Sequence, residues 1–484
     1  MGSIERCLSI FARVPIVSRS AITLKAMLRP LVILLLGVSL FADNMPPADQ
    51  QRLAREIYKE LIETNTSFTT GQTTPAAEAV ARRLRAAGFP DADIQVLGAG
   101  PKKMNVVVRY RGTGAKKPLL LLAHLDVVEA LRSDWTIDPF VLTEKDGFFY
   151  GRGTGDDKAQ ASIWLANLIQ YKKEGYQPNR DLILALTADE EGGGPFNGVD
   201  YLLKNRRDLI DAEFCLNEGG WGEMRGGRKI LNAVQVSEKT MQSFRFEVKN
   251  PGGHSSMPVD ENAIYRLAAA LGKLSKYKFP IVMNETTRGY FSKVGELEKG
   301  PAAADLKAIA KDDMAAAERV AAQSAAWNAT LRTTCVATML DGGHAQNALP
   351  QTAGALVNCR ILPGQPAEEV QQKLKQVIGD PQVTISTMAS FGGGPPSPMR
   401  DDVMQAAAQI TQSMWPGIPA VPIMVMGGTD GSYLRKAGIP TYGVMGLFLE
   451  ATDIRFHGRD ERIGVKEFYE AQTFLYRLVK GLTQ

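Results

Sequence analysis

The sequence predicts an α/β fold: a discontinuous α/β domain with a mixed, largely parallel sheet, interrupted by a smaller inserted α+β domain. Three observations carry this. Two continuously apolar runs, PLLLLAHLDVV and DLILALTADEE, flank the helical segment DDKAQASIWLANLIQYKKEG. Strand, helix, strand of that kind implies parallel pairing, with strands buried on both faces. After about residue 238 the pattern changes to SFRFEVKN, whose apolar–polar alternation marks a strand with one wet face. The α/β pattern then returns beyond the linker FGGGPPSP at 391–398.

Taken in order, the chain opens on a targeting signal. Residues 31–42, LVILLLGVSLFA, follow Arg6, Arg13, Arg19, Lys25 and Arg29 and end in the small residue Ala42. A basic region, a short apolar core and a small terminal residue describe a secretory signal. A spanning helix needs about 20 apolar residues. A retained N-terminal membrane anchor is the alternative, because Leu40 is not the usual small residue two before the cut. Met27 opens a compact signal of its own. The whole chain carries a formal charge of +4, but removing residues 1–42 takes five bases and one acid and leaves 51 of each. That neutrality offers no basic surplus for nucleic acid. Over 484 residues, 44% hydrophobic and 22% charged residues exclude disordered, collagen-like and multi-span membrane classes.

Beyond the signal, Leu53, Ile57 and Leu61 recur at four-residue spacing, one face of a helix. Thr74-Pro75 and Gly88 bracket a second helix as start and stop signals. The strand run MNVVVRY precedes the two apolar strands. After residue 238, helices at ENAIYRLAAALGKLSK and around 302–326 lead to the strands TTCVATML and ALVNCRIL, then the helix AEEVQQKLKQVIG and the strand QVTISTM. The set is βαββαβ-like. The expected division is a signal at 1–42, catalytic parts at 46–238 and 393–484, and the inserted domain at 239–392. Cys335 and Cys359 fall opposite one another in an antiparallel hairpin centred near Asn347. A disulfide and a pair of buried thiols are equally compatible with that spacing.

The chemistry lies at strand ends, where a parallel sheet places its site. His124-Leu125-Asp126 ends one apolar strand, and residues i and i+2 share a face, so Asp126 can orient the His124 ring. The turn GRGTGDDK lacks phosphate-loop spacing, and its Asp156 suits a cation better than a phosphate. Asp189-Glu190-Glu191 ends the next strand, and Glu218 in CLNEGG and His457 in RFHGRDERI follow further apolar stretches. One His and one carboxylate per metal, with a carboxylate shared, suits two zinc ions about 3.5–4 Å apart that activate a bridging water. Cobalt and manganese are the alternative metals. One unligated carboxylate is left to act as general base.

These segments resemble peptidase family M20, which includes glutamate carboxypeptidase, carboxypeptidase S and acetylornithine deacetylase. The motifs are LLAHLDVV, GRGTGDDK, TADEE, NEGG, NPGGHSS, NALP, GGTDGS and FHGRDERI, over most of the chain after residue 50. The resemblance implies a dizinc-peptidase-type catalytic domain, with the insert as lid and dimerisation domain. His124 and Glu218 would hold one metal, Glu191 and His457 the other, and Asp156 would bridge them. Glu190 would be the general base, Asp126 would orient His124, and Asp156–Asp157 would be the family's cis peptide. His254 would stabilise the oxyanion, in many members from a dimer partner. Asn347, Arg360, Gly428 and Thr429 would contact the substrate, with Arg360 gripping a carboxylate. His344 fits no motif.

The implied reaction is hydrolysis of an amide or peptide bond beside a free carboxylate, on a small peptide or an N-acyl amino acid. The long segment around 285–330 and the FGGGPPSP linker resemble the carboxypeptidase S branch of the family, which implies a carboxypeptidase rather than an aminoacylase or deacetylase. Export, periplasmic or secreted, favours peptide scavenging. A non-catalytic periplasmic binding protein would share the signal and the α/β pattern but needs no acidic cluster. A catalytically dead family member would not need Glu190, Asp156 and His457.

Overall fold

In the computed structural model, residues 44–192 and 196–484 are described, and the signal expected at 1–42 lies outside them. The central element is a ten-stranded mixed sheet. Leu119–His124 lies in its middle, parallel to Leu182–Thr187 on one side and to Phe214–Asn217 on the other. Met104–Tyr110 and then Ile94–Gly98 continue one wing antiparallel. Thr441–Gly443, Arg228–Glu238, Gly222–Arg225 and Phe448–Glu450 form the other wing, and Ala420–Val425 runs parallel to Arg228–Glu238. Both faces are covered, which is why the strand sequences are apolar without alternation. Leu119, Leu121 and Ala123 pack into the core shared with helices Ala48–Glu63, Lys158–Lys173 and Val465–Thr483. Leu120 and Leu122 point to the opposite core, beside helix Gly198–Asn205.

A separate four-stranded sheet has the order Thr334–Gly342, Thr352–Ile361, Thr240–Lys249, Val383–Gly392. Phe244, Phe246 and Val248 bury one face against helices Ala263–Lys276 and Ala367–Ile378. The intervening Ser243, Arg245 and Glu247 stay partly exposed, as the alternation requires. The segment between these helices and strands packs elsewhere. Glu285–Leu297, Pro301–Ile309, Met314–Gln323 and Ala325–Leu331 are four helices whose Phe291, Leu306 and Val320 share a core with Leu231, Ala233 and Val421 of the large sheet. Part of the inserted sequence therefore builds on the first sheet rather than on the second.

Cys335 and Cys359 face one another across antiparallel strands and are joined by a disulfide, while Cys215 is a buried free thiol. Among the described residues, no helix is long and apolar enough to cross a membrane.

The glycine-rich turn that follows Phe148–Tyr150 is fixed by a residue far away in sequence. Buried Glu461 accepts hydrogen bonds from the backbone N–H groups of Gly153 (3.1 Å), Gly155 (2.7 Å) and Asp156 (3.3 Å), and from Arg152 Nη1 (2.6 Å). The Asp156–Asp157 peptide within this turn is cis.

Two stability tests follow from these contacts. Glu461→Ala leaves Arg152 buried without its carboxylate and is expected to lower the unfolding free energy by about 3–5 kcal/mol. The disulfide spans 24 residues, and replacing both cysteines by Ala is expected to cost about 3 kcal/mol. Urea denaturation measures both; unchanged midpoints would contradict the contacts.

Candidate metal centre

The site forms where three parallel strands stop side by side. His124 pairs in register with Thr187, and the strand ending at Asn217 lies next to them. Beyond Thr187 the chain turns sharply through Asp189, whose φ of 59° is in the left-handed region. Non-glycine residues there are held by their surroundings. Here Lys103 Nζ pairs with Asp189 Oδ1 at 2.6 Å, and Asn105 Oδ1 accepts from the Ala188 N–H at 2.9 Å. The Asp126 carboxylate then accepts from the N–H groups of Glu190 (3.1 Å) and Glu191 (2.9 Å). Asp126 thus aims both glutamates.

The contact of Asp126 with His124 is made chiefly by its backbone. His124 Nδ1 lies 3.0 Å from the Asp126 carbonyl oxygen and 3.7 Å from its carboxylate. A carbonyl can only accept, so Nδ1 carries the proton and Nε2 is turned toward the cluster. Asp156 Oδ1 is 3.0 Å from His124 Nε2, and its Oδ2 is 3.2 Å from His457 Nε2. Glu191 Oε1 is 2.6 Å from His457 Nε2, and Glu218 Oε1 is 3.9 Å from His124 Nε2. His457 also has a left-handed backbone, with φ 59°.

Two three-residue groups result, His124–Asp156–Glu218 and Asp156–Glu191–His457, each with ligand atoms within 4.8 Å of one another. They share Asp156. His124, Glu190 and Glu191 meet the same distance test, which sets the Glu190 carboxylate beside the shared cluster. Each group offers imidazole nitrogen and carboxylate oxygen, a donor set that suits zinc and neighbouring divalent ions.

The electrostatics point the same way. Burial pushes the carboxyls of Glu190 and Glu218 well above their usual range, and neighbouring carboxylates reinforce the shift against the opposing effect of His124. Burial also acts to raise Asp156, but hydrogen bonds and charge from His124 and His457 outweigh it and hold that carboxyl down. Hydrogen bonds to Asp156 and Glu191 raise the His457 imidazole to about 10. So dense a set of buried carboxylates calls for positive charge.

A cleft of about 490 Å³ opens onto the cluster, lined in part by Glu190, Glu191, His457, Arg360, Gly428 and Tyr433. The Arg360 guanidinium reaches it from the small sheet, and its Nη1 donates to the Met426 carbonyl at 3.2 Å. Thr429 is buried, and its hydroxyl donates to Glu238 at 2.8 Å, so it is engaged within the protein. His254 and Asn347 are exposed and lie outside the cleft lining. They neighbour each other where Gly253–His254 pairs with Ala348–Leu349, and His254 Nδ1 accepts from the Ser256 hydroxyl at 2.7 Å. His344 is exposed on the same loop.

Besides Glu461, sequence reasoning missed two buried carboxylates, Asp430 and Glu238. Asp430 accepts from Thr187 Oγ1 (2.8 Å) and Asn197 Nδ2 (2.6 Å), and burial raises it to about 6. Glu238 pairs with buried Arg435 at 2.7 Å where the large sheet passes into the small one. Asp430 stands inside GGTDGS, and Glu238 ends an apolar strand; an acid in either setting is the available signal.

Comparison with known proteins fits this arrangement. The chain is 30% identical over 376 residues to human N-fatty-acyl-amino acid synthase/hydrolase PM20D1, covering 75% of this chain and 74% of that protein. It is 29% identical over 398 residues to the probable carboxypeptidase S-like 2 of Dictyostelium discoideum, covering 78% and 76%. The M20 family metallo-carboxypeptidase Sso-CP2 from Sulfolobus solfataricus shares the fold, with a TM-score of 0.67 at 18% identity, covering 88% of this chain and 98% of that one. Residues 120–481 match the family model described as peptidase family M20/M25/M40, and the chain, a hydrolase with a candidate metal centre at the strand ends, belongs to that family.

Proposed function

We propose that the protein cleaves an amide or peptide bond adjacent to a free carboxylate, using two metal ions. The observation that carries the reading is the pair of ligand groups sharing Asp156, with Glu190 and Arg360 on one cleft. His124 and Glu218 would hold one ion and Glu191 and His457 the other, with Asp156 common to both ligand groups. Zinc is the proposed metal, with cobalt and manganese as alternatives. Bound there, the ions would supply Lewis acidity and lower the pKa of the attacking water.

The chain's own groups do the rest. Arg360 and the Gly427–Gly428 backbone orient the substrate carboxylate, which fixes the scissile carbonyl in the cleft. The Glu190 carboxylate takes a proton from the attacking water and returns it to the leaving nitrogen. Burial raises its proton affinity above that of an ordinary carboxylate, which favours taking up the proton. His254 donates to the oxyanion of the tetrahedral intermediate. A carboxypeptidase and an N-acyl-amino-acid hydrolase differ only in the acyl group. The carboxypeptidase S-like relatives favour the first reading, and the PM20D1 relatives favour the second.

His254 and Asn347 are exposed on the unit that also presents an apolar edge. Val336, Met339 and Leu340 on the edge strand Thr334–Gly342 are 61%, 66% and 71% exposed. An unpaired strand with apolar side chains suits a second copy. The small-sheet unit is accordingly a lid and dimerisation domain, and His254 and Asn347 serve the partner's cleft. Export behind residues 1–42 is part of the same reading, supported by the disulfide, which persists in oxidising compartments.

Glu190→Gln is expected to keep its metal content while turnover falls by at least about 10²–10⁴-fold. Full activity in that variant would remove the general base. Co-expressing Glu190→Gln with His254→Ala is expected to restore activity in mixed dimers, because one cleft then has both groups. A mixture as inactive as either parent would contradict the crossing of His254.

A further inference from the structure

A second pocket, of about 350 Å³, lies between the large sheet and the helices of residues 285–331. Ile423 and Met424 line it from the sheet, Trp221 and Ile454 from loops, and Tyr290 and Ala326 from the helices. Its polar side chains are engaged within the protein: Glu223 pairs with Arg225, and the Thr330 hydroxyl donates to the Ala326 carbonyl. A mainly apolar lining whose Glu223 and Thr330 side chains are already paired suits an alkyl group rather than a charged one.

This pocket adjoins the metal centre by chain and by packing. Trp221 follows Glu218 by three residues, and Ile454 precedes His457 by three. Three extended residues span at most about 11 Å. The Trp221 ring packs edge-on against Phe456 with centroids 5.6 Å apart. Phe456 in turn covers Gly155, where a Cβ would lie 2.0 Å from the ring, immediately before Asp156. Met426 lines this pocket, and Gly427 after it lines the cleft that holds Arg360. One pocket therefore carries the guanidinium for a carboxylate, and its neighbour is lined mainly by apolar side chains.

We infer that the second pocket is the acyl subsite and takes an unbranched alkyl chain of the substrate, with the 285–331 helices forming one wall. The inference rests on the amide-hydrolase reading above and gives it a substrate class: N-acyl amino acids of medium chain length. At roughly the 30 Å³ that a water occupies in the liquid, the pocket has room for about ten methylene-sized groups. Ala326 lies on the exposed side of its helix, so enlarging it narrows the pocket without disturbing a packed core.

The experiment compares kcat/KM for the N-acetyl, N-hexanoyl and N-decanoyl derivatives of one amino acid in the parent and in Ala326→Phe. In the parent, kcat/KM is expected to rise with chain length, by up to about fourfold per methylene, the equivalent of about 0.8 kcal/mol. Ala326→Phe is expected to shrink the decanoyl-to-acetyl ratio at least tenfold. Hydrolysis that ignores chain length, or a variant that scales every substrate alike, overturns the subsite and leaves the hydrolase reading standing. Absence of hydrolysis on any amide overturns that reading instead. Calorimetric binding of the N-decanoyl amino acid to Glu190→Gln then tests the pocket without turnover. Binding at least tenfold weaker when Ala326→Phe is added supports it, and equal binding overturns it.

Discussion

Asp156 presents one carboxylate oxygen to His124 and the other to His457, and the surrounding fold is arranged to keep it there. Its two neighbours in space come from opposite ends of the sequence, so their meeting depends on long-range structure. Glu461 holds the turn that carries Asp156 by accepting from the N–H groups of Gly153, Gly155 and Asp156 and from Arg152. Asp126 does the same for the acidic turn, accepting from Glu190 and Glu191. Two buried carboxylates thus spend their acceptor capacity on backbone donors, and the acids left over converge. Convergence of like charges in a buried setting is costly unless cations are supplied. The polypeptide accepts that repulsion because the parallel strands, buried on both faces, fix where their ends lie.

Much of this arrangement is legible in the sequence. The runs Leu119–His124 and Leu182–Thr187 are apolar at every position before their terminal His124 and Thr187, as a doubly covered strand requires, and the two strands pair parallel. The hairpin centre near Asn347 sets the register that brings Cys335 opposite Cys359. Acids and histidines at strand ends mark His124, Asp156, Glu190, Glu191, Glu218 and His457, and these residues cluster.

What the sequence does not disclose is long-range. Alanine-rich composition marks a helix around 302–326 but neither its division into four helices from Glu285 to Leu331 nor the surface they bury, and they join the large sheet although their sequence is inserted beside the small one. The i, i+2 spacing places Asp126 on the face of His124, yet its carboxylate is taken by the N–H groups of a turn 64 and 65 residues later. Nothing local tells whether Thr429 faces a cleft or, as here, Glu238. Such choices depend on which donors and acceptors the folded chain leaves nearby.

The two pockets give these observations a common sense. The charged cleft is lined by Glu190, Glu191 and His457 of the acidic cluster, and the mainly apolar pocket by Trp221 and Ile454, each three residues from a member of it, Glu218 and His457. The most direct test of the shared carboxylate is diffraction from crystals of the zinc-loaded protein at the zinc absorption edge. Two anomalous peaks about 3.5–4 Å apart, one beside His124 and Glu218 and one beside Glu191 and His457 with Asp156 touching both, are the predicted result. A single peak, or peaks that leave Asp156 uncoordinated, would contradict the account.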